Sequence, residues 1–108
     1  MTAFITGSHA YGIPTENSDI DLAILVSDKD SEFLWQQFGS AGTLRAGKLN
    51  IVCFYNATNF ERWREVTNQL KARAPVTRDD AVSAFQVAGF KGYPTEHERL
   101  DTSEKGDS

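Results

Sequence analysis

Basic residues are in short supply. Eleven Lys and Arg stand against fifteen Asp and Glu, for a net charge of −4. Nonspecific affinity for nucleic acid comes from neutralising many phosphates, so a chain with this balance is not expected to bind DNA or RNA. Cysteine is nearly absent: Cys53 is the only one. It lies inside an apolar run and reads as a small core residue rather than a nucleophile or a metal ligand. The chain also has no apolar run of about eighteen residues and no charged-then-apolar leader, so neither membrane insertion nor secretion is expected. A cytoplasmic location is the default that follows. No internal repeat is visible.

The 108 residues are 40% hydrophobic and 24% charged, enough for one small globular domain with a modest core and a single site. That domain is expected over residues 1–91. Residues 92–108 are charge-rich and lack apolar periodicity, which predicts a polar, flexible tail in which His97 is solvated.

Hydrophobic periodicity supplies the elements. Residues 2–6 and, more strongly, 20–26 read as strands, and residues 49–55 as a third. Residues 27–30 look like a helix start, followed by Phe33, Leu34, Trp35 and Phe38 at helical spacing; Gly39 to Gly42 would end that helix. Residues 43–48 add a short strand and turn. Thr58 and Glu61 have capping-box spacing, and Phe60, Trp63, Val66, Thr67 and Leu70 then recur on one helical face to about Ala74. Pro75 stops that helix. Thr77 and Asp80 repeat the capping device before the stripe of Ala81, Ala84, Phe85 and Ala88.

The most informative stretch is residues 7–21, GSHAYGIPTENSDID, which joins the first two strands. Side chains alternate along a strand, so Asp19 and Asp21 share one face while Ile20, Leu22, Ile24 and Val26 take the other. Two neighbouring carboxylates repel unless a cation sits between them, and hard oxygen ligands of this kind select Mg2+ or Mn2+. Magnesium usually arrives with phosphates. The Gly7-Ser8 turn supplies the complementary part, because glycine admits close backbone approach and the amides and Ser8 hydroxyl donate to phosphate oxygens. His9 to Tyr11 would start a short helix that adds its dipole. Metal-assisted phosphoryl or nucleotidyl transfer needs mainly such positioning and charge neutralisation.

On these residues the chain resembles the nucleotidyltransferase superfamily typified by DNA polymerase beta, especially its small stand-alone members. Gly7, Ser8, Gly12, Ser18, Asp19 and Asp21 match the family's Gly-Ser, loop, Asp-x-Asp signature. The resemblance implies an α/β fold with a small mixed sheet of three or four strands, backed by helices on one side. It implies an enzyme that moves a nucleoside monophosphate from a nucleoside triphosphate to a hydroxyl on a small molecule or protein. Asp19 and Asp21 would hold the metal, and Gly7, Ser8, Gly12 and Ser18 would bind the nucleotide. A third carboxylate, on a later strand, belongs to the family pattern. Here that position falls on Asn50, which either takes the third ligand position or only caps its strand. An asparagine carries no charge and cannot accept a proton, so nucleotide binding survives this change more easily than catalysis. The alternative is therefore a catalytically reduced nucleotide- or partner-binding module of the same fold. Small relatives often work with a partner protein, and this chain is short enough to need one for its acceptor site. Arg45 and Lys48 read first as solvated charges and second as contacts for a bound phosphate; the basic cluster of Lys71, Arg73 and Arg78 reads first as a solvated helix end and second as a contact for a triphosphate or an acidic partner.

Overall fold

The computed structural model describes residues 2–38 and 43–92. Its elements run β1 (Thr2–Thr6), α1 (Ser8–Tyr11), β2 (Ile20–Leu25), α2 (Asp28–Phe38), β3 (Thr43–Ala46), β4 (Leu49–Phe54), α3 (Ala57–Lys71) and α4 (Arg78–Val87). The strands form one mixed sheet of four in the order β1-β2-β4-β3, with β2 and β4 parallel and both outer pairs antiparallel. Parallel strands need a long connection, and the one from β2 to β4 runs through α2 and β3. This is the α/β architecture anticipated from the sequence.

Alternation along the strands sorts the core. Ala23 and Leu25 of β2, with Val52 and Phe54 of β4, pack in one cluster with α3 and α4. Leu22, Ile24 and Val26 join Ile51 and Cys53 in a second, smaller cluster on the opposite face. Cys53 is fully buried there, as a core residue would be.

Helix α3 buries Phe60, Trp63, Val66, Thr67 and Leu70, the five residues whose spacing put them on one face. Its start differs from expectation. Asn56 is the N-cap, its side chain accepting from the Asn59 N–H at 2.9 Å, and Thr58 lies inside the helix. Asparagine in extended backbone is among the best N-caps, so it displaces a threonine two residues later. The helix also ends at Lys71 rather than near Ala74, in a tighter turn in which Arg73 N–H bonds Leu70 O and Ala74 N–H bonds Lys71 O. Thr77 caps α4 as expected, accepting from Asp80 N–H at 3.1 Å. At the start of α2, Ser27 Oγ accepts from Asp30 N–H at 3.2 Å. Phe33, expected on an apolar stripe, is 57% exposed. The side chains of Leu34, Trp35 and Phe38, the helix end at residues 39–42 and the expected tail from residue 93 lie outside the described residues. Among the described residues no helix is long and apolar enough to cross a membrane.

The two helices are joined by aromatic stacking. Trp63 lies flat on Phe85, centroids 3.7 Å apart and planes 9° from parallel, and Phe90 meets Trp63 edge-on. Phe85→Ala removes a fully buried ring from this stack. It is expected to cost about 3 to 5 kcal/mol of stability, read as a lower urea midpoint with an unchanged slope.

Candidate functional site

Strand register brings the expected residues into one row. Thr6 pairs with Asp21, Asp21 with Asn50, and Asn50 with Arg45. Cross-strand partners share a face, so four polar side chains line up across the sheet, on the side that carries Ala23 and α3. Thr6 ends the row, buried, with its hydroxyl 3.1 Å from that of Thr67 in α3. Asn50 Nδ2 donates to Asp21 Oδ1 at 3.1 Å. Asn50 thus stands beside Asp21, where the third ligand position was sought.

Arg45 takes a role that sequence reading did not assign it. Its Nη1 donates to Asp19 Oδ1 at 3.1 Å and its Nη2 to Asp19 Oδ2 at 3.0 Å, a two-pronged pair that occupies both carboxylate oxygens. The signal was present in the sequence. A tight turn at Gly47-Lys48, with Gly47 at φ 62°, makes β3 and β4 a hairpin and sets Arg45 opposite Asn50. Hydrogen bonding from Arg45, then its charge and that of Lys48, holds the Asp19 carboxyl below the usual carboxylate range. The same hydrogen bond, followed by the charge of Asp19, raises Arg45.

The Gly7-Ser8 turn stands across from this row. Gly7 adopts φ 74°, a region L side chains rarely enter, and its carbonyl accepts from Ala10 and Tyr11 N–H at 2.9 and 3.1 Å. Those bonds start α1, a helix of only four residues whose dipole adds less than expected. Gly12 closes it. A Cβ at Gly12 would sit 3.0 Å from the Ser8 Cα, so a side chain there would push the backbone of Ser8 aside by a few tenths of an ångström. Between Gly12 and β2 the loop is tied down by Ser18, whose Oγ accepts from Thr15 N–H at 2.9 Å, and by Lys48, which donates to the Glu16 carbonyl.

Ser8, Gly12, Ser18, Asp19 and Asp21 all line one cleft of about 500 Å³. Gly7 and Asn50 support it without lining it. The opposite wall was not anticipated as a unit: Val76, Thr77, Arg78 and Ala81, from the approach to α4 and its first turns. Val76 N–H donates to the Tyr11 carbonyl at 2.8 Å, which fastens this wall to α1. Arg78 was visible only as one member of a basic cluster. No local pattern in the sequence puts it on a cleft, because its place comes from α3 and α4 packing together.

The donor set suits a hard divalent cation. Asp19 and Asp21 contribute carboxylate oxygens, and Asn50 Oδ1 is buried with no hydrogen-bond partner among the described residues, a costly arrangement for an amide oxygen that has nothing to do. Among the described residues no group of three His, Cys, Asp or Glu comes together, so the carboxylate count stays at two. The turn itself is testable. Gly7→Val forces a β-branched residue into positive φ, a strain of about 1 to 3 kcal/mol, and is expected to lower both stability and triphosphate affinity. Nucleotide affinity equal to the parent's would show that the turn does not hold phosphate.

No curated protein and no solved structure matches the chain. Residues 2–79 match the family described as the nucleotidyltransferase domain, a span that includes both strands of the Gly-Ser and Asp-x-Asp motif, the Asn50 strand, α3 and the approach to α4. With that span covering most of its length and with four mixed strands holding the motif against one cleft, the chain belongs to the nucleotidyltransferase domain family of the DNA polymerase beta superfamily.

Proposed function

We propose that this protein binds a nucleoside triphosphate with a divalent metal in the cleft between the Gly7-Ser8 turn and α4, and transfers the nucleoside monophosphate to a hydroxyl acceptor. The observation that carries the reading is the convergence of Ser8, at the start of α1, with Ser18, Asp19 and Asp21, at and before the start of β2, on one cleft. In the reaction, an acceptor oxygen forms a bond to the α-phosphorus while the bond from that phosphorus to the bridging oxygen breaks. Pyrophosphate leaves with the electron pair. The Ser8 hydroxyl and nearby amides would orient the phosphates, and Asp19 and Asp21 would hold Mg2+ or Mn2+, with Asn50 Oδ1 as a neutral third donor. When bound, the cation would offset the charge gathered on the phosphates. Asn50 supplies no base, so the acceptor proton leaves to another acceptor, such as solvent, a phosphate oxygen or a group of the acceptor itself.

Asn50 also favours the second reading, a module that binds the metal and nucleotide or a protein partner with reduced or lost transfer. Both readings are separated by two measurements on the full chain. Titration with the four ribonucleoside triphosphates, with and without Mg2+, should show metal-dependent binding; no binding to any of them removes transfer and the nucleotide-binding module together and leaves only the partner-binding form of the second reading. Pyrophosphate release in the presence of hydroxyl acceptors, small molecules and proteins alike, then supports transfer, and its absence with intact binding supports the reduced module.

A further inference from the structure

We infer that Arg45 is a specificity-determining residue of this site, one that makes it select a metal–triphosphate complex over either component alone. The inference rests on the proposed function. Its ground is the geometry of the pair: both oxygens of Asp19 are taken by the two guanidinium nitrogens at 3.1 and 3.0 Å. A cation that ligates Asp19 has to compete with that fork. A free divalent ion displaces Arg45 and gives it nothing in return, leaving a guanidinium beside a new positive charge. A free triphosphate attracts Arg45, yet meets Asp19 and Asp21 with no cation between the charges. The complex satisfies every group at once, because its cation replaces Arg45 on Asp19 and its phosphates receive Arg45.

Position makes this exchange cheap. The side chains of Arg45 and Asp19 are 55% and 41% exposed, so neither is locked in the core. Arg45 lies on edge strand β3, one step across β4 from Asn50, with more than half of its side chain in solvent. Lys48, beyond the same turn, donates to the Glu16 carbonyl rather than to Asp19.

The test compares the parent with Arg45→Gln and Arg45→Lys, using Mn2+ followed by paramagnetic resonance and ATP followed by calorimetry, with the other three ribonucleoside triphosphates as parallel arms. For the parent, Mn2+ and nucleotide should each bind weakly alone and tighten one another's binding. In Arg45→Gln, Mn2+ alone should bind roughly fivefold or more tightly, while the mutual tightening falls by about tenfold. Arg45→Lys keeps the charge but cannot span both oxygens, so its Mn2+ affinity should lie between the two. Damage to the fold would weaken both ligands together and could not raise affinity for the metal. Unchanged or weaker Mn2+ binding in Arg45→Gln, or an Arg45→Lys protein identical to the parent, overturns the exchange. Absence of any Mn2+–nucleotide binding in all three proteins instead overturns the proposed function on which it rests.

Discussion

Asp21→Asn is expected to abolish metal-dependent triphosphate binding, lowering the affinity by roughly a hundredfold or more while the protein stays folded. Asp21 is central to the polar row, paired with Thr6 on one side and with Asn50 on the other. An amide at this position still offers an oxygen to Asn50 Nδ2, so the bond at 3.1 Å has a replacement. The substitution removes one of the two carboxylates that line the cleft among the described residues. Repulsion between two neighbouring carboxylates with no cation between them would make neutralising either aspartate neutral or slightly stabilising. The structure separates the two cases. Asp19 already has a counter-charge in Arg45, so Asp19→Asn leaves a guanidinium without its partner and gains little. Asp21 hydrogen-bonds a neutral amide and feels the Arg45 charge without a direct ion pair to it, and Asp21→Asn should therefore be the more benign for stability, within about 0.5 kcal/mol of the parent. Calorimetric titration with Mg2+ and nucleotide, beside a thermal melt, checks both parts. Retained metal-dependent affinity in a folded Asp21→Asn protein removes Asp21 from the site.

The substitution with the second-largest expected effect works in the opposite direction. Asn50→Asp sets a carboxylate directly across the parallel pair from Asp21, in register and on the same face. It replaces a hydrogen bond with a repulsion between like charges, so stability without metal should fall by about 1 kcal/mol. Divalent-metal affinity should rise by about tenfold, and pyrophosphate release should appear or increase, because a third carboxylate can ligate the cation and accept a proton. Mn2+ should then raise the melting temperature of Asn50→Asp more than that of the parent. A lower melting temperature with no gain in metal affinity would assign Asn50 to the support of Asp21 alone.

The local chemistry of the site was legible in one stretch of sequence. Asp19 and Asp21 are two residues apart and so share a strand face, and Gly7 sits where a strand turns back through positive φ. The same logic gave the buried face of α3, because helical period alone puts Phe60, Trp63, Val66, Thr67 and Leu70 together. Boundaries were less legible. Asn56 and Thr58 are both competent caps, and the competition between them is settled by backbone conformation that composition does not record.

Family membership and the α/β class were determined by the sequence itself, since each follows from periodicity or from a motif contained in a few consecutive residues, and the same motif is what proposes Asp19 and Asp21 as a pair. Tertiary structure decided which side chains meet that pair. Arg45 reaches Asp19, and Asn50 reaches Asp21, only because β4 lies between β2 and β3 in the sheet order. Arg78 reaches the cleft only because the stack of Trp63 on Phe85 holds α4 against α3, and the Val76 bond to Tyr11 fastens its first turn to α1. These contacts join residues far apart in the chain. The physical reason they escape a sequence reading is that strand order and helix packing are set by the summed burial of the core, a property of the whole fold that no local pattern encodes.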